Sequence, residues 1–487
     1  METDLLVLGA GAKGTAIAMK AHVLNSLGLG PIRLTVVEAT GPAAAWRDGE
    51  GVTSSREILG LSPTKDVGFP YQAGRAFGNA GAEVNRAAMA FSWQRYLVDN
   101  GRYAAWIDAG CPSVQRRVFG DYLAWVLAHA TNGVSVVRGR VARLSLAQHA
   151  NRWVVDVEPA VGEDSARVED PAQVGYPARV KDRAQPDSYV CKAFVLTGQG
   201  AQRVLAHDDE AAVRVLDCES GRMEIARVPP EGSSDVAIVG GGESALSCIE
   251  FVRARRPDAR LTVYTANLPM SRVESFLENR VFSRPDDVAW AALSVEQRRD
   301  FVARSDRGVF GADRVSPFAY DPGCSFVGGR VQHIASVAAG RKVCVHYNSP
   351  AGAMSCEHDY VINCTGYDPL EQLRRLLADD AQVELERQVG TLWGPACDPD
   401  ATSIGRSLEL EGVQPRVHIP GLAAVSQGPG FSTLGALGLL ADRVLEPLVA
   451  AARANVVALS PRRVATPRPG GPSRSPAAAG HRGPREA

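Results

Sequence analysis

Apolar and polar positions along the chain fall into a repeated order of strand, glycine turn and helix. Asp4 to Leu8 is a short apolar strand, and Gly9-Ala10-Gly11-Ala12-Lys13-Gly14 follows it as a turn. Ala16, Ile17, Met19 and Val23 then recur at helical spacing, and Arg33 to Val37 makes a second strand that ends in Glu38. The same order returns at Asp235, where DVAIVGGGESALSCIEFV reads strand, turn and helix, with Arg260 to Tyr264 as the next strand. Between these units, residues 46–115 are mixed and loop-rich, Phe119 to His129 is an amphipathic helix, and Val134 to Val137 and Trp153 to Val157 alternate like strands. Pro159 to Ser188 is a polar surface excursion rich in Pro, Asp and Arg. Val190 to Leu196 is a buried strand that leads to Thr197-Gly198-Gln199-Gly200, and Tyr360 to Asn363 leads to Cys364-Thr365-Gly366-Tyr367. Val417 to Ile419 precedes a glycine-rich turn and an apolar helix from Leu434 to Leu448. From about residue 460 the chain is Pro, Arg, Gly and Ala with little apolar surface to bury, and a disordered tail is expected.

This order predicts an α/β protein with two Rossmann-like dinucleotide-binding domains and a small, mainly helical substrate portion. The expected division is 1–234 with 366–458 for the first domain and its substrate elements, 235–365 for the second, and 459–487 for the tail.

Composition narrows the choice of function. The chain has 487 residues, 45% of them hydrophobic, which is enough for two or three domains with a sizeable core. Its 53 basic and 54 acidic residues leave a formal net charge of -1, so no global field draws it to nucleic acid or an anionic membrane. No apolar run approaches the roughly 20 residues that cross a bilayer. A chain that enters a strand at once predicts no signal peptide. The nine cysteines form no CxxC pair, which argues against a zinc site or a redox disulfide and for reduced thiols in the cytoplasm. The nine histidines form no metal-type cluster, and no Ser/His/Asp arrangement can be assembled from spacing. A cofactor is then expected to carry the chemistry.

The two turns supply the means to bind one. Gly9, Gly11 and Gly14 fit G-x-G-x-x-G, in which the first glycine permits the tight turn, the second admits a pyrophosphate and the third lets helix and strand pack closely. Glu38 closes the next strand, near the roughly 20-residue spacing usual for a carboxylate that binds a ribose hydroxyl. In the second turn Gly240, Gly241 and Gly242 precede Glu243, Ser244 and Ala245, the alanine standing in the third, packing position. The strand beyond ends Val263-Tyr264-Thr265-Ala266-Asn267 with no acid to repel a ribose 2′-phosphate, and Arg272 is close behind, which suits NADPH better than NADH.

Four further segments carry a resemblance. They are Leu61-Ser62-Pro63-Thr64-Lys65-Asp66, the stretch from Arg116 to Trp125 (RRVFGDYLAW), the stretch from Phe276 to Phe282 (FLENRVF), and Cys364-Thr365-Gly366-Tyr367. Together with the two turns, over roughly residues 1–450, they resemble the flavin-dependent L-lysine and L-ornithine side-chain N-hydroxylases. The resemblance implies FAD on the first turn and NADPH on the second, with an amino acid and O2 as the other reactants. Flavin reduced by NADPH would form a hydroperoxide with oxygen, and the neutral side-chain amine would attack it. The N-hydroxy product would feed a hydroxamate siderophore or an N–N-bonded natural product.

The same resemblance assigns Lys65 to the substrate carboxylate, beside the cofactor, and Asn279 to substrate and nicotinamide as the catalytic contact. It places Gly9, Gly11, Gly14, Glu38, Trp46, Thr365, Gly366, Tyr367 and Leu434 around the cofactors, with Gly240, Gly242, Glu243, Ser244 and Arg272 at the coenzyme. Trp125 is read as a core or flavin-packing residue, and a homo-oligomer is expected. Gly60 replaces a glutamine common in the family, and the C-terminal flavin segment reads GPGFSTLGALG; both suggest a longer pocket and favour lysine over ornithine. Other amine monooxygenases commonly carry an FxGxxxHxxx(W/Y) segment before the NADPH turn, which residues 200–235 lack. A nonenzymatic NAD(P) sensor would keep both turns but not need Lys65 or Asn279.

Overall fold

The computed structural model describes residues 1–47, 55–59, 68–69, 76–147, 151–160, 187–227, 234–266, 287–305, 309–390 and 403–459. The first domain is built on β1 (Glu2–Leu8), α1 (Ala12–Ser26), β2 (Leu34–Glu38), α2 (Arg116–His129), β3 (Val134–Arg138), β4 (Arg140–Leu146), β5 (Trp153–Glu158) and β6 (Asp187–Leu196). Its sheet runs β3-β2-β1-β6-β5-β4, with Arg416–His418 joined to β6. The strands from β3 to β6 are parallel, and β5 and β4 follow antiparallel. β6 is shared: its first half pairs with β5, and Ala193 to Val195 pair with Arg416–His418. The C-terminal helix α4 (Leu437–Leu459) returns the chain to this domain; Leu440, Ala441, Val444 and Leu445 are buried in the core that also holds α1.

The second domain has β7 (Val215–Asp217), β8 (Asp235–Val239), α3 (Glu243–Arg255), β9 (Arg260–Thr265), β10 (Cys324–Gly328) and β11 (Tyr360–Asn363). They form an all-parallel sheet ordered β10-β9-β8-β11-β7. A three-stranded antiparallel sheet, Arg330–Val337, Lys342–Ser349 and Gly352–His358, lies between β10 and β11 in the chain. β7 and the helix Gly221–Arg227 come before the expected start at residue 235, and β7 pairs with β11 in this sheet. A three-residue strand is too short for a periodic pattern to reveal it.

Between β2 and α2 the chain is more helical than its loop-rich composition predicts, with helices Gly81–Ala88, Trp93–Asp99 and Tyr103–Asp108. Burial of aromatic rings holds these short segments. Trp93 lies 5.3 Å from Tyr96 and 5.4 Å from Tyr122 between ring centroids, and the Tyr122 hydroxyl donates to the Phe91 carbonyl at 2.6 Å. Helices of six to eight residues are marginal alone, so tertiary packing makes them.

Candidate functional site

In the first domain the strand order reverses between β1 and β6, and open α/β sheets bind ligands beyond the strand ends at such a point. The first glycine turn stands there. Gly9 has φ +94°, and a Cβ on it would meet the Thr197 hydroxyl, which follows β6, at 2.9 Å. A Cβ on Gly14 would lie 2.0 Å from the Gly9 carbonyl oxygen, so only glycine lets α1 approach the turn. Gly11 differs. Its φ is an ordinary -74°, and a Cβ there would meet only the Trp46 indole nitrogen, at 4.0 Å. The space before α1 is open, and no side chain caps the helix start. Its orphan amides are available to an anion. Glu38, at the end of β2, accepts from the Ala10 amide at 2.7 Å and from the Thr40 amide at 3.0 Å, which brings a carboxylate to the rim of the turn. Trp46 packs edge-on to Phe119 at 5.2 Å.

The second turn repeats this design at the reversal between β8 and β11. Gly240 has φ +149°, and a Cβ on it would lie 2.3 Å from the Cys364 carbonyl oxygen beyond β11. Gly242 opens α3 without a side-chain cap. Glu243 and Ser244 form the first turn of α3, both half-buried. Glu243 is held by Arg314, whose Nη1 is 2.7 Å from its carboxylate, and Arg314 also forks onto Glu250 at 2.5 and 2.9 Å. Burial works against charge on Arg314, yet its hydrogen bonds to Glu250 and the charges of Glu243, Glu250 and Glu57 hold its guanidinium above the usual range. β9 ends at Thr265, with no carboxylate at the position that Glu38 holds in the first domain.

Thr365 donates to the Asn363 side chain through its amide at 3.1 Å and its hydroxyl at 2.7 Å. Gly366 has φ +96°, and its carbonyl accepts from the Arg203 amide at 3.0 Å. The Tyr367 hydroxyl lies 3.1 Å from the Cys218 sulfur, and Tyr367–Asp368 pair with Ala201–Gln202 in the ribbon that carries the chain between the domains. These three residues thus stand beside the second turn and at the crossing. Leu434 opens a short 3₁₀ turn before α4 and packs against the first domain's core. Lys65, Arg272, Asn279 and Gly60 lie outside the described residues. Among the described residues no group of His, Cys, Asp and Glu could hold a metal ion, and no helix is long and apolar enough to cross a membrane.

No family model matches the chain. It is 34% identical over 451 residues to the L-lysine N6-monooxygenase MbtG of Mycobacterium tuberculosis, which covers 91% of this chain and 95% of that protein. It is 32% identical over 447 residues to MbtG of Mycolicibacterium paratuberculosis. The chain belongs to the flavin-dependent lysine and ornithine N-monooxygenases. Among solved structures, the lysine monooxygenase NbtG of Nocardia farcinica superposes with a TM-score of 0.72 at 34% identity, over 91% of this chain and all of that one. The ornithine N-hydroxylase KtzI of Kutzneria sp. 744 gives a TM-score of 0.64 at 17% identity over 94% of this chain, a likeness of fold alone.

As a member of this family the protein is an NADPH-dependent flavoprotein monooxygenase, and its residues fit both dinucleotides. Gly9, Gly11 and Gly14 leave an open cradle before an uncapped helix, with Glu38 at its edge; Gly240 and Gly242 do so again before α3. Sequence reading missed a charged cluster between the domains, made by Glu57, Arg116, Arg222 and Arg314. These residues are far apart in the chain, and only the topology brings them together.

Proposed function

We propose that this enzyme hydroxylates the side-chain nitrogen of L-lysine, in a route to a hydroxamate siderophore or an N–N-bonded product. The observation that carries it is the pairing of two uncapped, glycine-lined turns in one chain with 34% identity, over 91% of its length, to proteins named L-lysine N6-monooxygenase. When bound, FAD supplies the activation of O2, fed by electrons from NADPH. The chain's part is to hold both dinucleotides, orient the amine and keep water out. Lys65 is proposed to anchor the substrate carboxylate. A fixed cation there sets the distance from that anchor to the reacting nitrogen and so selects the distal amine over the α-amine. Asn279 is proposed to meet substrate and nicotinamide, and Arg272 the 2′-phosphate of NADPH. Lysine and ornithine differ by one methylene, worth only about 1–3 kcal/mol in a pocket. The choice of lysine rests on Gly60, on the altered C-terminal segment and on the names of the relatives. The test is a screen of NADPH oxidation and hydroxylamine formation over lysine, ornithine, simple diamines and aspartate. Lysine is expected to give the highest hydroxylamine yield per NADPH; hydroxylamine from a diamine but from neither amino acid would remove the carboxylate anchor from the scheme.

A further inference from the structure

Residues 55–59 form a short ribbon against the start of α2. The Arg116 amide donates to the Glu57 carbonyl at 2.9 Å, the Arg117 amide to the Ser55 carbonyl at 2.9 Å, and the Leu59 amide to the Val114 carbonyl at 2.9 Å. Glu57 is thereby fixed to the first domain. Among the described residues its carboxylate, with the side chain 10% exposed, meets four groups. Arg116 of the first domain is 3.6 Å away. The other three belong to the second domain: the Ser247 hydroxyl, buried on α3, donates at 2.8 Å, and the guanidiniums of Arg222 and Arg314 stand at 3.8 and 3.7 Å. Arg314 joins Glu57 to Glu243 and Glu250. Three guanidiniums therefore face three carboxylates, and Glu57 is the member of that set that reaches across from the first domain as an anion.

The cluster also lies between the two turns. At one end the Arg116 guanidinium sits 5.2 Å from the centroid of Trp46, whose indole nitrogen borders the space at Gly11. At the other, Arg314 holds Glu243, the first residue of α3. Among the described residues the domains meet at two further places: the ribbon of Ala201–Gln202 with Tyr367–Asp368, through which the chain crosses, and an apolar contact where the Trp290 indole donates to the Val425 carbonyl at 3.0 Å. A two-strand crossing would by itself act as a hinge and leave rotation open. The Glu57 cluster is the contact that couples that rotation to both turns.

We propose that Glu57 is a positioning residue that clasps the NADPH domain against the FAD domain and sets the separation of the two cofactors for flavin reduction. The proposal rests on the FAD and NADPH assignments above. Removing its charge takes away the carboxylate that Arg116 of the first domain shares with Arg222 and Arg314 of the second, while Arg314 keeps Glu243 and Glu250, and the second domain swings on its hinge. The NADPH-binding turn itself is untouched.

Glu57→Gln keeps the size of the side chain and removes the charge. In anaerobic rapid mixing, its limiting rate of flavin reduction by NADPH is expected to fall on the order of a hundredfold, the effect of about 1 Å of misplacement. The NADPH concentration at half-saturation should stay unchanged, reduction by dithionite should proceed as in the parent, and Glu57→Asp should recover part of the rate. Small-angle scattering of the cofactor-free protein should show Glu57→Gln with a larger radius of gyration. If Glu57→Gln does not fold, Ser247→Ala, which removes one hydrogen bond to the same carboxylate, is expected to slow reduction to a lesser degree. An unchanged reduction rate with an unchanged scattering profile overturns the proposal. So does a loss of NADPH affinity with an unaltered limiting rate, which would make the cluster part of the coenzyme site. If the parent protein is not reduced by NADPH at all, the cofactor assignment falls, and the clasp is then judged by the scattering of Glu57→Gln alone.

Discussion

Around the first turn, eleven of the fifteen residues of α1 are buried, and the helix is enclosed by α4. That contact contains a buried ion pair, Lys20 to Asp442 at 2.6 Å. Around the second turn, α3 buries seven of its thirteen residues, and its open side carries Glu243 and Glu250 with Arg314 laid over them. Strand, turn and helix are nearly the same in both. The surroundings differ, and they suit different tasks. An enclosed helix with Glu38 tied to its turn favours a cofactor kept through many turnovers, whereas a half-open helix edged with exchangeable ion pairs favours a coenzyme that enters and leaves in each cycle.

The largest expected effect separates the two turns directly. In Gly14→Ala the new Cβ would stand 2.0 Å from the Gly9 carbonyl oxygen, so the protein should be purified colourless and less stable. In Gly240→Ala the Cβ would stand 2.3 Å from the Cys364 carbonyl oxygen. That protein should stay yellow but resist bleaching by NADPH. Loss of bound flavin in Gly240→Ala, read from the absorption spectrum, would mean that the two regions do not act independently.

Strands and glycine turns were legible in the sequence because buried parallel strands are continuous apolar runs, and a glycine forced by a 2.0 Å approach has no substitute. The short helices from Gly81 to Asp108 and the strand Val215–Asp217 were not, since tertiary packing rather than local pattern makes them. The Glu57 cluster was illegible for another reason. Its members are ordinary charged residues until the 55–59 ribbon, α2, α3 and the helices Gly221–Arg227 and Ala312–Val315 bring them together.

Lys65→Ala bears on what lies beyond both turns. Losing a hydrogen bond to a charged group costs about 1.5–3 kcal/mol, so the substrate's KM should rise roughly tenfold to a hundredfold. Flavin reduction by NADPH should stay unchanged, while more of the oxygen consumed appears as hydrogen peroxide. Unaltered KM and coupling would leave Lys65 an ordinary solvated lysine.

The enclosed region should also respond to acid. Burial pushes His418, whose Nδ1–H donates to the Ser407 carbonyl at 2.8 Å, down to about 4. Because the folded value lies below the unfolded one, its contribution is present above pH 6.5 and is lost as pH falls toward 4, by about 2 kcal/mol at pH 5. Burial pushes Asp442 the other way, up to about 6, so its contribution grows by about 1 kcal/mol as pH falls from 7 to 5. Denaturant melts of His418→Gln at the two pH values should therefore show stability rising toward pH 5 where the parent's falls. Parallel pH slopes would mean that His418 does not titrate in this range.

Arg272→Ala should produce a smaller change, narrowing the preference for NADPH over NADH by about tenfold in flavin reduction, since the charged contact proposed for the 2′-phosphate is lost. An unchanged ratio would move the 2′-phosphate contact elsewhere.

The most direct measurement is product analysis under isotopically heavy O2, with lysine and ornithine supplied separately to the FAD-loaded enzyme and NADPH. Lysine carrying one heavy oxygen atom on its side-chain nitrogen, in near-stoichiometric yield with NADPH consumed, is the expected result, with ornithine giving chiefly hydrogen peroxide. Efficient labelling of ornithine with lysine left unmodified would contradict the assignment of lysine, and peroxide alone from both would contradict the proposed reaction.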